Sequence, residues 1–172
     1  ITAGTGEMLT LVDHNEADLV LTLDSHIYNT EYVIVKEERV GVHFAAGAGY
    51  PLPLGAKLSV RDLCSHPFIL TEKGMSYRRL LDERLAEMSL EIQPLLEIGN
   101  TDLICSLLEQ NLGISFLPDY VTAPKIAEGK LVILNVDDLD IAVWKQLLYH
   151  RNKWVSPQME SLIKHCVECA FT

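Results

Sequence analysis

Positive charge is scarce in this 172-residue chain: 14 Lys and Arg stand against 24 Asp and Glu, a formal net charge of −10. Non-specific attraction to nucleic acid or to an anionic membrane comes from clustered Lys and Arg, so this composition excludes both as general partners. If the protein works on DNA, these residues are not the part that touches it. Long apolar runs are missing too. A stretch such as Ala17–Leu23 falls far short of the roughly 20 residues a membrane helix needs. Ile1–Glu7 has neither the basic start nor the apolar run of a secretory signal, and no Met opens the chain, which reads as part of something longer. There are four cysteines, Cys64, Cys105, Cys166 and Cys169, too few for a disulfide scaffold at this length. Free thiols in a reducing cytoplasm are expected. G-x-S-x-G, the phosphate-loop pattern and H-E-x-x-H do not occur.

What is present is an ordinary globular composition, 48% hydrophobic and 22% charged, whose segments alternate between strand and helix patterns. Met8, Leu9, Leu11 and Val12 fit a short amphipathic helix with Thr5 as N-cap, and Ala17–Leu23 fits a buried parallel strand. Tyr32–Val35 and Val40–Phe44 are β-rich, and Gly47–Gly55 is a loop. Ser59–Leu63 reads as one capped helical turn and Pro67–Leu70 as a short strand. A helix follows over Ser76–Met88, with Leu80, Leu81, Leu85 and Met88 on its apolar face and Arg78, Arg79, Asp82 and Glu83 toward water. Leu95–Ile98 is a strand and Leu103–Gln110 a helix closed by Gly113. Ile114–Leu117 is a strand, and Pro118 opens a helix ended by Gly129. Leu131–Val136 and Ile141–His150 are extended, and Ser156-Pro157 starts a last helix. This alternation predicts parallel α/β units.

Ligands of open α/β sheets bind beyond the carboxyl ends of strands, where loops lead into helices. Three such turns are small, polar and rich in hydroxyl and amide groups: Gly4-Thr5-Gly6, Thr71–Ser76 and Gly99-Asn100-Thr101. Each offers helix N-terminal N–H groups that favour an anion. Taken singly, Thr5, Ser76 and Asn100 are ordinary N-caps; taken together they predict a small-molecule cleft.

The ordered segments resemble the C-terminal effector-binding domain of LysR-type bacterial transcriptional regulators. The matching pieces run from Thr5-Gly6-Glu7-Met8-Leu9 and Asn15–Leu21 through Leu58–Leu63, Pro67-Phe68-Ile69 and Gly99-Asn100-Thr101. They continue with Gly113–Pro118, Glu128–Leu131 and Trp154–Pro157, so the resemblance covers essentially the whole chain. It implies a two-lobed α/β fold of the type 2 periplasmic-binding-protein kind, with two crossover strands near Val40–Phe44 and Leu147–His150. Lobe I would be residues 1–40 plus 148–172, lacking its first strand and helix, and lobe II residues 41–147. The resemblance further implies a small effector held between the lobes by Thr5, Gly6, Thr71, Gly74, Met75, Ser76, Gly99, Asn100 and Thr101, with Met75 helping to set its shape. It implies a homodimer or tetramer, with Met8–His14 and the Tyr77–Met88 helix as candidate contacts. DNA would be reached only through a helix-turn-helix outside these residues. A transporter's solute receptor of the same fold is the alternative.

No cofactor, metal or catalytic residue is expected. His165-Cys166-Val167-Glu168-Cys169 carries one thiol pair where structural zinc needs four ligands. Cys64 and His66, two residues apart, are poorly spaced for a nucleophile and base, and the expectation is a buried thiol and a turn histidine.

Overall fold

The computed structural model describes residues 1, 3–53 and 55–171. In chain order the first elements are α1 (Thr5–Asp13), β1 (Val20–Asp24), β2 (Tyr32–Val40) and β3 (Val42–Gly47). Next come α2 (Val60–Leu63), β4 (Ile69–Leu70), α3 (Ser76–Glu87), β5 (Leu96–Glu97) and α4 (Thr101–Glu109). The chain ends with β6 (Ile114–Pro118), α5 (Asp119–Ala127), β7 (Leu131–Ile133), β8 (Val143–His150) and α6 (Pro157–Ala170). Two compact units result, Ile1–Val40 with Ala142–Thr172, and Gly41–Ile141. The expected switch at residue 148 falls inside β8, because that strand pairs along its whole length with β1 and β2 of the first unit.

In the first unit the described strands run β1–β8–β2, every pairing antiparallel, with Val20 opposite Leu148 and Val40 opposite Val143. The parallel strand expected at Ala17–Leu23 is therefore corrected: it starts at Val20, and its partner returns from the far end of the chain in the opposite sense. Its inward residues Val20, Thr22 and Asp24 are buried while Leu21 is half exposed, an alternation suited to antiparallel pairing. Val12 of α1 packs with Val20, Tyr32 and Leu148, and the Tyr32 hydroxyl donates to Asp13 at 2.8 Å. Gln146, fully buried on β8, satisfies its amide locally. It accepts from the Ile27 N–H at 2.7 Å and donates to the Ile27 carbonyl at 3.1 Å and to Glu37 at 2.9 Å.

The second unit is built on β6–β3–β7, also antiparallel, with Phe44 opposite Phe116 and Gly47 opposite Leu131. β4 and β5 form a parallel pair, and a parallel bridge from Phe68 to Ile114 joins β4 to β6. Among the described residues the prediction of parallel units thus holds for β4, β5 and β6, with one further parallel bridge from Leu58 to Val136. Ala45, Ile69, Leu117 and Leu131 meet Ile104, Cys105 and Leu108 of α4 in one core. On the other face Phe44 contacts Phe68 and Phe116, with centroids 6.0 and 5.0 Å apart. Where β3 meets the end of α4, a Cβ on Gly47 would stand 2.2 Å from the Leu108 carbonyl oxygen.

Local side-chain bonds explain which helix ends the sequence reveals. Ser59 and Asp62 form a reciprocal capping box on α2, and Ser156 accepts from the Met159 N–H on α6. Three end assignments are corrected. α1 is capped by Gly4, with Thr5 already in its first turn, and α3 by Met75, with Ser76 inside the helix. At the end of α4 the left-handed residue is Asn111, φ 59°, whose N–H reaches the Leu108 carbonyl; Asn tolerates this conformation. Gly113 is small for a different reason: a Cβ there would lie 2.6 Å from the Pro67 carbonyl oxygen.

Candidate functional site

Two short strands decide where the polar turns go. Because β4 and β5 are parallel and paired Ile69 to Leu96 and Leu70 to Glu97, their carboxyl ends lie side by side, and the Ile98 N–H donates to the Leu70 carbonyl at 2.9 Å. The chain leaves β4 through Thr71–Met75 into α3, and β5 through Ile98–Asn100 into α4. Gly74 has φ 94°, the conformation a type II turn requires at its third residue, and the Met75 N–H closes that turn on the Glu72 carbonyl at 3.2 Å. Gly99 faces this turn, for a Cβ on it would stand 3.2 Å from Glu72 Oε1. Of the residues expected to form a site, Thr71, Gly74, Met75, Ser76, Gly99, Asn100 and Thr101 thus sit on adjacent turns of the second unit. Thr5 and Gly6 open α1 of the first unit.

The two helix starts differ chemically. Asn100 caps α4, its Oδ1 accepting from the Asp102 and Leu103 N–H groups at 3.0 and 3.1 Å. Met75 brings no acceptor to α3, so among the described residues no side chain caps its first N–H groups, which stay available to an anion. Asn100→Ala is expected to lower the unfolding free energy by about 1 kcal/mol, measured by urea denaturation, because two donors lose their acceptor.

Buried hydroxyls surround these starts. Thr71 is 1% exposed, and among the described residues its Oγ1 has no hydrogen-bond partner of good geometry, although the Tyr77 phenol is a polar neighbour. Burial pushes the Tyr77 phenol up to about 12, the Thr71 hydroxyl opposing in part, so at neutral pH it remains a donor. Tyr120 in the first turn of α5 and Cys105 of α4 are the other titratable groups that Tyr77 senses. The sequence reading missed Tyr77 and Tyr120 as neighbours of this place. Helical periodicity places Arg78 toward water, but the side chain is buried. Arg78 is 3% exposed and donates from Nη1 to the Thr71 carbonyl at 2.8 Å and from Nε to Asp82 at 2.9 Å, with Glu97 3.8 Å from Nη2. It holds the end of β4 against α3.

The thiols gather into no comparable arrangement among the described residues. His66 Nδ1 lies 3.3 Å from the Tyr50 hydroxyl, and Cys64, half-buried rather than buried, has its thiol pushed up by desolvation. Cys169 contacts His165 at 3.6 Å, and among the described residues no group of three His, Cys, Asp or Glu is placed to hold a metal. Among the described residues no helix is long and apolar enough to cross a membrane.

The family model for the LysR substrate binding domain matches residues 1–170. The chain belongs to this family. LysR substrate-binding domains have the type 2 periplasmic-binding-protein-like fold, and the mixed α/β architecture described above is of that kind. Among relatives of this LysR domain, the HTH-type transcriptional regulator YwqM of Bacillus subtilis is 30% identical over 122 residues, 71% of this chain and 41% of that protein. The chain therefore spans less than half the length of this relative. Among solved structures, the regulatory domain of CcmR from Synechocystis, in complex with 2-PG, has a TM-score of 0.76 at 19% identity. That match covers 96% of this chain and 79% of the other. The effector-binding domain of QuiR in complex with shikimate has a TM-score of 0.72 at 16% identity, covering 95% and 76%.

Proposed function

We propose that this LysR domain is the effector-sensing part of a bacterial transcriptional regulator and that it takes a small anionic metabolite at the turns after β4 and β5. The observation that carries the reading is an uncapped start of α3 with, on the same turn, a buried Thr71 hydroxyl that has no hydrogen-bond partner of good geometry among the described residues. A carboxylate accepts from the first N–H groups of α3 and from the Ser76 and Thr101 hydroxyls, and the Thr71 hydroxyl gains an acceptor of good geometry. The rim itself carries Glu72 and Asp102, which favours one carboxylate over a multiply charged group. Met75, 37% exposed at the start of α3, offers an adaptable apolar contact. Similarity to regulatory domains solved with 2-PG and with shikimate supports a small ligand.

Occupancy shifts the population between two arrangements of a homodimer or tetramer, with α1 and α3 as candidate contact helices, and transcription follows in the cytoplasm through DNA-binding residues outside this chain. A thermal-shift screen of carboxylates, amino acids and sulfate tests the reading, since a bound ligand raises apparent stability by mass action. For any hit, Ser76→Ala and Thr101→Ala are each expected to weaken binding about tenfold, the loss of one charge-assisted hydrogen bond, while the ligand-free midpoint moves little. Unchanged affinity in both variants overturns the site.

A further inference from the structure

A second hollow lies in the same unit, on the flank of α3 facing the segment Leu90–Ile92. Its volume is about 250 Å³. Leu85 and Ile92, 1% and 5% exposed, belong to its apolar wall with Leu90, and Ala86 stands on its rim. Its polar lining is unevenly satisfied. Arg78 carries five N–H donors and spends Nε on both oxygens of Asp82 and one Nη1 hydrogen on the Thr71 carbonyl. Nη2 comes no closer than 3.8 Å to Glu97, beyond hydrogen-bond range, so a buried guanidinium presents unused donors. Lys73 and Glu91 also line the hollow, and among the described residues neither the Lys73 ammonium nor the Glu91 carboxylate has a hydrogen bond or ion pair. Arg78 is ion-paired with Asp82 and more loosely with Glu97, while among the described residues the Lys73 ammonium and the Glu91 carboxylate stand unpaired beside the apolar wall.

We propose that this hollow, which shares Lys73 with the turn after β4 but lies on the flank of α3, is a second ligand site and that it takes a small aliphatic α-amino acid. The carboxylate binds Arg78 Nη2 and Lys73, the ammonium binds Glu91, and the side chain lies against Leu85 and Leu90. A simple carboxylate leaves Glu91 unmatched, and a simple amine leaves the guanidinium unmatched, so the zwitterion is the species that satisfies both.

The test is a titration of the whole chain, labelled at Leu and Ile methyls and at backbone amides, followed by NMR. The probes are L-leucine, isovalerate and isoamylamine. L-Leucine is expected to shift the methyls of Leu85, Leu90 and Ile92 saturably, about tenfold more tightly than either of the other two. Glu91→Gln should remove that advantage over isovalerate, and Ala86→Phe, which fills the hollow from an exposed helix position, should abolish the shifts. Amides of Asn100 and Thr101 report the other site, so Thr101→Ala should leave the methyl response intact, and the two sites can fail separately. No saturable methyl shift with L-leucine, an equal response to isovalerate or isoamylamine, or a response that survives Ala86→Phe overturns the proposal.

Discussion

Replacing Gly47 by alanine is expected to cost about 3 kcal/mol of stability, read as a lowered urea midpoint of the second unit. The added methyl would stand 2.2 Å from the Leu108 carbonyl oxygen and 2.4 Å from Asn111 Oδ1. The first of these is backbone, so it cannot swing aside. Relief requires the end of α4 to lift from β3, and Leu108, Cys105 and Ile104 of the core are carried on that helix. Gly49→Ala is the matched comparison: the atoms nearest its methyl belong to the movable Asn111 side chain, the first at 3.2 Å, and the expected loss is small. Equal midpoints for the two variants would show that α4 slides at little cost.

Arg78→Met should be nearly as damaging, at about 2–3 kcal/mol, although it keeps the length of an apolar stem. It leaves the Thr71 carbonyl and the Asp82 carboxylate without their donors at once. Asp82 and Glu97 are partly exposed, 29% and 39% at their side chains, so water recovers some of the loss and the full penalty of a broken buried pair does not apply. Arg78→Lys is expected to fall between, since one ammonium cannot reach a carbonyl and a carboxylate in the geometry a guanidinium spans. Urea unfolding of the three proteins ranks them, and Arg78→Met matching the parent protein would remove Arg78 as the fastener of β4.

What could be read from the sequence divides by the range of the interactions involved. Ser59, Asn100 and Ser156 were recognisable as caps because each bonds an N–H two or three residues away. Family resemblance likewise rested on ordered local pieces such as Gly113–Pro118. Arg78 failed for the opposite reason. Its burial depends on a carbonyl seven residues back and on Glu97 from another strand, and helical periodicity contains neither. The direction of β1 was equally out of reach, since the partner that fixes it begins at Val143. Within the candidate site, the turns at Thr71–Ser76 and Gly99–Thr101 could be picked out by composition. Their adjacency depends on the short parallel pair of β4 and β5, and the Tyr77 phenol joined them only through that packing.

The position of β8 between β1 and β2 has a consequence for synthesis on the ribosome. Among the described residues, β1 and β2 have no strand to join until His150 has left the exit tunnel, because each pairs with β8 and not with the other. Gly41–Ile141 is continuous and holds all its own strand partners among the described residues, so it can settle while the leading segment waits. Among the described strands the two made first are paired last, and synthesis halted at Ile141 would leave Gly41–Ile141 with its own strand partners and β1 and β2 still waiting for β8.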